Sequence, residues 1–294
     1  MKILARLSIS HLEVDAALMA RLRSEVPEQD ALRGFSLFAP LDSESMSTAL
    51  GLLDVAGLKP WDFRQGRPLV AGSEYFLSYE RVYDVADLRD CEYLRIMPPA
   101  KGIHIEAHER TEAGRIILPK YKMPRGFDIM LTHLNAAYFV TDRAKTILEA
   151  AGLSRLSFPP ACYGPGRLKE GDTEEAIAAQ FGRPYWEIDS DFTLPPLSPT
   201  MSLKTNKGRP WVRGDYSDGL QACEGLFQLP ELHYRRSDLD RLEPFDLART
   251  QEQFGNYKSY DRLKCPLVAS RRFYETCVAD KLKTGWVPVR VDPE

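Results

Sequence analysis

Gly126-Phe127-Asp128-Ile129-Met130-Leu131-Thr132 returns later in the chain as Pro244-Phe245-Asp246-Leu247-Ala248-Arg249-Thr250, and both stretches share Phe-Asp-(Ile/Leu)-x-x-Thr. Self-similarity of this kind constrains a fold more than any local propensity does. Each copy continues with a short apolar run and a hydroxyl residue able to cap a helix. The first run is Tyr138-Phe139-Val140-Thr141-Asp142-Arg143 and the second is Pro266-Leu267-Val268-Ala269-Ser270-Arg271, aligned by a one-residue gap between Val268 and Arg272. The helices that follow place Ala144, Ile147, Leu148 and Ala151, or Phe273, Tyr274, Cys277 and Val278, on one face. A leucine comes next (Leu153, Leu282), then a short strand and a proline, Phe158-Pro159 and Val287-Pro288. Each copy therefore reads strand–helix–strand.

Upstream stretches at 79–88 and 233–239 extend the likeness. The competing reading is chance similarity between two generic βαβ-like segments. A duplication predicts a two-lobed α+β molecule, mainly antiparallel sheet with flanking helices. Its lobes would be 1–165, holding the first copy, and 166–294, holding the second.

Outside the repeat, residues 1–64 alternate strand and helix. Ile3 to Ile9 suits a strand. Ser10 can cap a helix carrying Leu12, Ala16, Leu18, Met19 and Leu22. Gly34 to Ala39 alternates as a second strand, closed by Pro40. Asp42 or Ser43 opens a helix along Met46, Leu50, Leu53 and Val55, and Gly57 ends it in a left-handed cap before Pro60. From about 69 to 123 the pattern turns to half-buried antiparallel sheet, with Tyr75, Phe76, Tyr79, Val82 and Tyr83 as strand formers. Between 164 and 230, prolines and glycines punctuate the chain. A Glu- and Ala-rich helix spans 168–181, and Leu194 to Pro199 reads as an ordered crossover.

The 294-residue chain is 44% hydrophobic and 28% charged, with a net charge of −3. That is a folded globular composition with no bulk field for nucleic acid or an anionic membrane. Five cysteines, none spaced as a metal-ligand pair, read as free thiols in a reducing compartment. Arg6 interrupts what would be the apolar core of a signal peptide, and no run approaches the ~20 apolar residues of a membrane span. These features set the expectation of a cytoplasmic protein.

Chemistry is sparse. His104-Ile105-Glu106-Ala107-His108 would put His104, Glu106 and His108 in a row on one strand face, a possible zinc or iron site. The same alternation also describes the solvent face of an amphipathic strand. Gly214-Asp215-Tyr216-Ser217-Asp218-Gly219 lacks the ligand spacing of a calcium loop and reads as an Asx-rich turn. Gly164-Pro165-Gly166 lacks the lysine of a phosphate loop. Arg235-Arg236 and Arg271-Arg272 are short basic pairs that read as surface or salt-bridging residues. Tyr75, Tyr79 and Tyr83 read as core or sheet aromatics. Cys162 and Cys277 have no neighbouring histidine in sequence, which leaves only tertiary approach to His133 or His233. No cofactor is called for.

The pattern Leu267-Val268-Ala269-Ser270-Arg271, a helix, then Trp286-Val287-Pro288-Val289 resembles the C-terminal signature of immunity proteins from bacterial polymorphic toxin systems, including contact-dependent and type VI secretion systems. Relatives with paired Cys-x-x-Cys-Gly motifs carry metal-binding cysteines that this chain lacks, so no structural zinc is implied. The resemblance implies an α+β protein that binds one cognate protein toxin stoichiometrically in the cytoplasm, with no catalytic residues of its own. Trp211, Tyr216, Tyr257 and Tyr260, aromatic residues in turn-rich stretches, are the candidate anchors of such an interface. Two other classes stay open: a metal-dependent enzyme built on His104, Glu106 and His108, and a non-catalytic component of a secretion or phage-like assembly.

Overall fold

A computed structural model describes residues 1–10, 15–26, 34–61, 69–70, 72–97, 117–119, 126–131, 137–164, 185–201, 203–205, 211–213, 220–222, 231–254 and 265–293. The fold is α+β. Its contacts separate a first unit ending at Asp84 from a second that begins at Val85.

In the first unit, β1 (Lys2–Ser10), β2 (Gly34–Pro40), β3 (Lys59–Pro60) and β4 (Glu74–Val82) form one sheet in the order β2-β1-β4-β3. The central strand β1 runs antiparallel to both neighbours, with Leu7 opposite Leu37 on one side and Leu77 on the other. Period-two alternation turns Ala5, Leu7 and Ile9 inward with Phe35, Leu37 and Ala39. Two helices, α1 (Ala16–Glu25) and α2 (Glu44–Val55), contribute Leu18, Met19, Leu22, Met46, Ala49, Leu52 and Leu53 to the same core.

Asp15, rather than Ser10, caps α1: its side chain accepts the Ala17 N–H at 3.2 Å, while Ser10 ends β1. Ser43 caps α2 through the Met46 N–H at 3.3 Å. Gly57 closes α2 at φ +76°, with the Leu58 N–H bonded to the Leu53 carbonyl. Val55 is not on the buried face; it is 81% exposed. Tyr75 is buried and Tyr79 packs against this core, so these two are core aromatics.

The second unit contains α3 (Val85–Leu88), β5 (Tyr93–Ile96), β6 (Ile117–Pro119), β7 (Ile129–Leu131), β8 (Tyr138–Thr141), α4 (Asp142–Ala150), β9 (Cys162–Gly164), β10 (Tyr185–Ile188), β11 (Leu203–Thr205), β12 (Leu220–Ala222), β13 (Leu232–Arg235), α5 (Arg236–Leu239), β14 (Leu247–Arg249), β15 (Leu267–Ser270), α6 (Arg271–Ala279) and β16 (Trp286–Asp292). One sheet has the order β13-β16-β5-β15-β14 and another β10-β8-β7; β6 pairs with β9, and β11 with β12. Bridges Ser157–Asp189 and Pro160–Trp186 bring the segment before β9 alongside β10. The β6–β9 pair is parallel, which departs from the antiparallel sheet expected up to residue 123. The expected helix at 168–181 lies outside the described residues. Leu194 to Pro199 is an ordered crossover: Leu194 and Leu197 are buried, and the Leu194 N–H bonds to the Arg249 carbonyl at 2.8 Å.

Both repeat copies form, and both lie in the second unit, whereas the sequence reading assigned one copy to each lobe. Val140 faces Ile129 across β7–β8, and Ala269 faces Leu247 across β14–β15. Val140 thus corresponds to Ala269, Thr141 to Ser270 and Arg143 to Arg272, and the gap in the sequence alignment disappears. The counterpart of β13 is β6, because each pairs in parallel with the strand that follows its helix. The upstream match at 79–81 is not a repeat element in space, since β4 belongs to the first unit. A core of Ile129, Val140, Ala144 and Leu148 from one copy and Leu247, Leu267, Ala269, Phe273 and Cys277 from the other is shared between them.

Candidate functional site

Three polar groupings among the described residues of the second unit bear on function. Two of them are the matching turns where β8 meets α4 and β15 meets α6. Thr141 caps α4 by accepting the Ala144 N–H at 3.2 Å, and Ser270 caps α6 by accepting the Phe273 N–H at 3.2 Å. Each capping hydroxyl donates to an aspartate of its own copy, Thr141 to Asp128 at 3.3 Å and Ser270 to Asp246 at 2.8 Å. Each aspartate also holds the arginine two residues beyond the cap: Arg143 lies 3.1 Å from Asp128, and Arg272 lies 3.3 Å from Asp246.

Those arginines then reach into the other copy. Arg143 donates to the Asp280 carbonyl at the end of α6, and Arg272 donates to the Ala151 carbonyl at the end of α4. A guanidinium against terminal carbonyls complements the negative end of a helix. Phe-Asp and (Thr/Ser)-x-Arg are thus fold-building motifs, the shared Asp and the cap forming one bracket. Arg271 and Arg236 are likewise occupied. Arg271 pairs with Glu275 and donates to the Leu88 carbonyl, and the Arg236 guanidinium beside Glu92 holds that carboxyl below the usual range.

The third grouping combines a hydroxyl, an imidazole and a carboxylate. His233 sits on β13, at the edge of its sheet, and Asp292 ends the neighbouring β16. The crossover runs along β13, with the Ser198 N–H on the His233 carbonyl at 2.8 Å, and delivers Thr200 to the pair. The Thr200 hydroxyl donates to Asp292 at 2.6 Å and lies 3.2 Å from His233 Nδ1; the same Nδ1 lies 3.6 Å from the other Asp292 oxygen. Desolvation pushes the Asp292 carboxyl up, but hydrogen bonds from Thr200 and Ser198 and the charges of His233 and Arg290 outweigh it, and the group titrates below its ordinary value.

A nucleophilic relay needs the hydroxyl and the carboxylate on opposite ring nitrogens. Here both meet Nδ1, and the hydroxyl proton goes to the carboxylate. The arrangement fastens the crossover to the sheet edge. It is not a catalytic triad.

Of the sequence-predicted anchors, Trp211 is half-buried, packs against the core that includes Leu203, Leu232 and Tyr234, and bonds through its backbone N–H to the Leu203 carbonyl at 3.1 Å. Tyr216, Tyr257 and Tyr260 lie outside the described residues, as do His104, Glu106, His108 and His133. The Gly214–Gly219 turn does as well. Among the described residues no group of three or more His, Cys, Asp or Glu side chains is placed to hold a metal ion. Cys277 is a buried free thiol that burial, with Asp128 and Asp280 nearby, pushes up to about 12; it is an inert core residue. No helix among the described residues is long and apolar enough to cross a membrane.

In the sequence, Thr141 and Ser270 stand out as helix caps and Asp128 and Asp246 as recurring repeat residues, and their recurrence at matched positions is the signal that they act together. The Thr200–His233–Asp292 group had no such signal, because its members come from three separate segments. Compared with protein-family models, curated proteins and solved structures, the chain finds no match.

Proposed function

We propose that the chain is a cytoplasmic immunity protein that neutralises a cognate secreted bacterial toxin by stoichiometric binding. The observation that supports this reading is the C-terminal pattern Leu267-Val268-Ala269-Ser270-Arg271 to Trp286-Val287-Pro288-Val289, which forms a strand, a capped helix and a returning strand. The conspicuous polar residues of that pattern are engaged in holding the scaffold. A protein that acts by binding needs such a scaffold and a separate recognition surface, with aromatic or arginine anchors inside a polar rim. On this reading Trp211 and the tyrosines Tyr216, Tyr257 and Tyr260 supply the anchors.

The experiment is affinity capture of the protein from the bacterium that encodes it, with mass spectrometry of what is retained, followed by co-expression with the partner found. A single stoichiometric partner with a C-terminal toxin domain, whose toxicity co-expression suppresses, is the expected result. Abundant protein that retains no partner, or a partner whose toxicity is unaffected, overturns the proposal.

A further inference from the structure

The first strand of each repeat copy carries a shared pattern, Tyr93-Leu94-Arg95-Ile96 in β5 and Tyr185-Trp186-Glu187-Ile188 in β10. In chain order β5 precedes β6, β7, β8 and α4, and β10 precedes β13, β14, β15 and α6. In space they have changed places. β5 lies between β15 and β16, both of the second copy, with Ser270 opposite Tyr93 and Trp286 opposite Ile96. β10 lies beside β8 of the first copy, with Thr141 opposite Tyr185, and the bridges from Ser157 and Pro160 fall on its other edge. The registers against β8 and β15 are equivalent, because Thr141 and Ser270 are the matching caps.

We infer that the second unit is an internal strand exchange, in which each half of the duplication completes the other's sheet. The docking surface on each half is the gap between its pre-helix strand and its post-helix segment, and the occupant is the Tyr-x-(Arg/Glu)-Ile strand of the opposite half. Without that strand, both neighbours would present unpaired backbone to solvent, and no half could close its sheet.

Bonds beyond the ladders are reciprocal as well. Asp128 accepts the Lys283 N–H at 2.9 Å and Asp246 accepts the Ser154 N–H at 2.7 Å, each amide lying four residues past the end of the other copy's helix. The Met97 N–H, next after β5, bonds to the Gly285 carbonyl at 2.8 Å.

Two experiments on the full chain test the exchange. A protease sequence inserted between residues 164 and 185 and cut after folding should leave fragments that co-elute as one species and part only in denaturant. Fragments that separate in native buffer overturn the inference. Leu94→Ala, at a fully buried position of β5, tells which half the strand serves and decides the matter where the insertion itself blocks folding. Hydrogen exchange read by mass spectrometry should quicken about tenfold or more across 267–292, and less across 138–164. Equal or greater quickening across 138–164 overturns it.

Discussion

Asp128 and Asp246 occupy equivalent turns, and each accepts a backbone N–H from the segment that leaves the opposite copy's helix, Lys283 for one and Ser154 for the other. The two brackets differ in depth. The Asp246 side chain is 8% exposed and also accepts from the hydroxyls of Ser154 and Ser270, whereas the Asp128 side chain is 14% exposed.

Removing the deeper carboxylate strands more donors. Asp246→Ala should destabilise the protein by ~3–5 kcal/mol and Asp128→Ala by ~1–3 kcal/mol, because buried donors left without a partner cost their full desolvation. Urea titrations of both variants check the order, and a larger loss at Asp128 would contradict the geometry.

The helix ends provide a paired comparison. After α4 the left-handed position is Gly152, at φ +61°, but after α6 it is Lys281, at φ +53°. A side chain there is strained where glycine is not. Lys281→Gly should stabilise by ~0.5–1 kcal/mol, and Gly152→Ala should destabilise by about the same amount. Thermal denaturation of the two variants should show melting temperatures moving in opposite directions.

Ser270→Ala removes the cap of α6 together with a donor to Asp246, and an expected loss of ~1–2 kcal/mol follows from the cap alone. Ser270→Thr, which imitates the first copy, should recover most of it. Equal stability of the alanine and threonine variants would show that the hydroxyl does not cap the helix.

Alkaline pH should weaken the fold. Burial raises the Cys277 thiol from 9.0 to about 12, and burial, with Glu92 beside it, raises Tyr93 from 10.0 to about 12. A folded-state value above the unfolded one means that the stabilisation is complete below the unfolded value and is lost as pH rises towards the folded one. The urea midpoint should therefore be insensitive to these two groups up to about pH 9, then fall towards pH 12. In Cys277→Val the fall should be shallower, because the raised thiols of Cys91 and Cys265 and the raised Tyr93 remain to drive it. An unchanged slope in that variant would remove Cys277 from the account.

Trp211 separates stability from recognition. Its contact with the core means that Trp211→Ala should cost ~1–3 kcal/mol of stability whether or not a partner binds there. A binding role requires a further loss of ~2 kcal/mol or more in affinity, measured by calorimetry on protein shown to be folded. Lost stability with unchanged affinity would make Trp211 a core residue only.

The local elements were legible in the sequence because they depend on neighbours in the chain. Alternating apolar residues marked β1 and β2, Ser43 and Gly57 bounded α2, and Phe-Asp-x-x-x-Thr marked both copies of the repeat. Misplacements arose where two residues compete for one job. Ser10 is as good a cap as Asp15 by type, and only the length of β1 decides between them. The pairing of β5 with β15 joins residues about 175 positions apart, and no period or propensity reports on contacts of that range. The same holds for Thr200, His233 and Asp292. Each is an ordinary polar residue until the crossover brings them together.

At matched positions of the two exchanged strands stand Arg95 and Glu187, both buried and opposite in charge. This makes the halves distinguishable from one another. A molecule assembled from two first halves would bury two arginines, and one assembled from two second halves would bury two glutamates, where the natural pair buries one of each. The two strands are therefore not interchangeable parts, because the central buried residue of each carries the opposite charge.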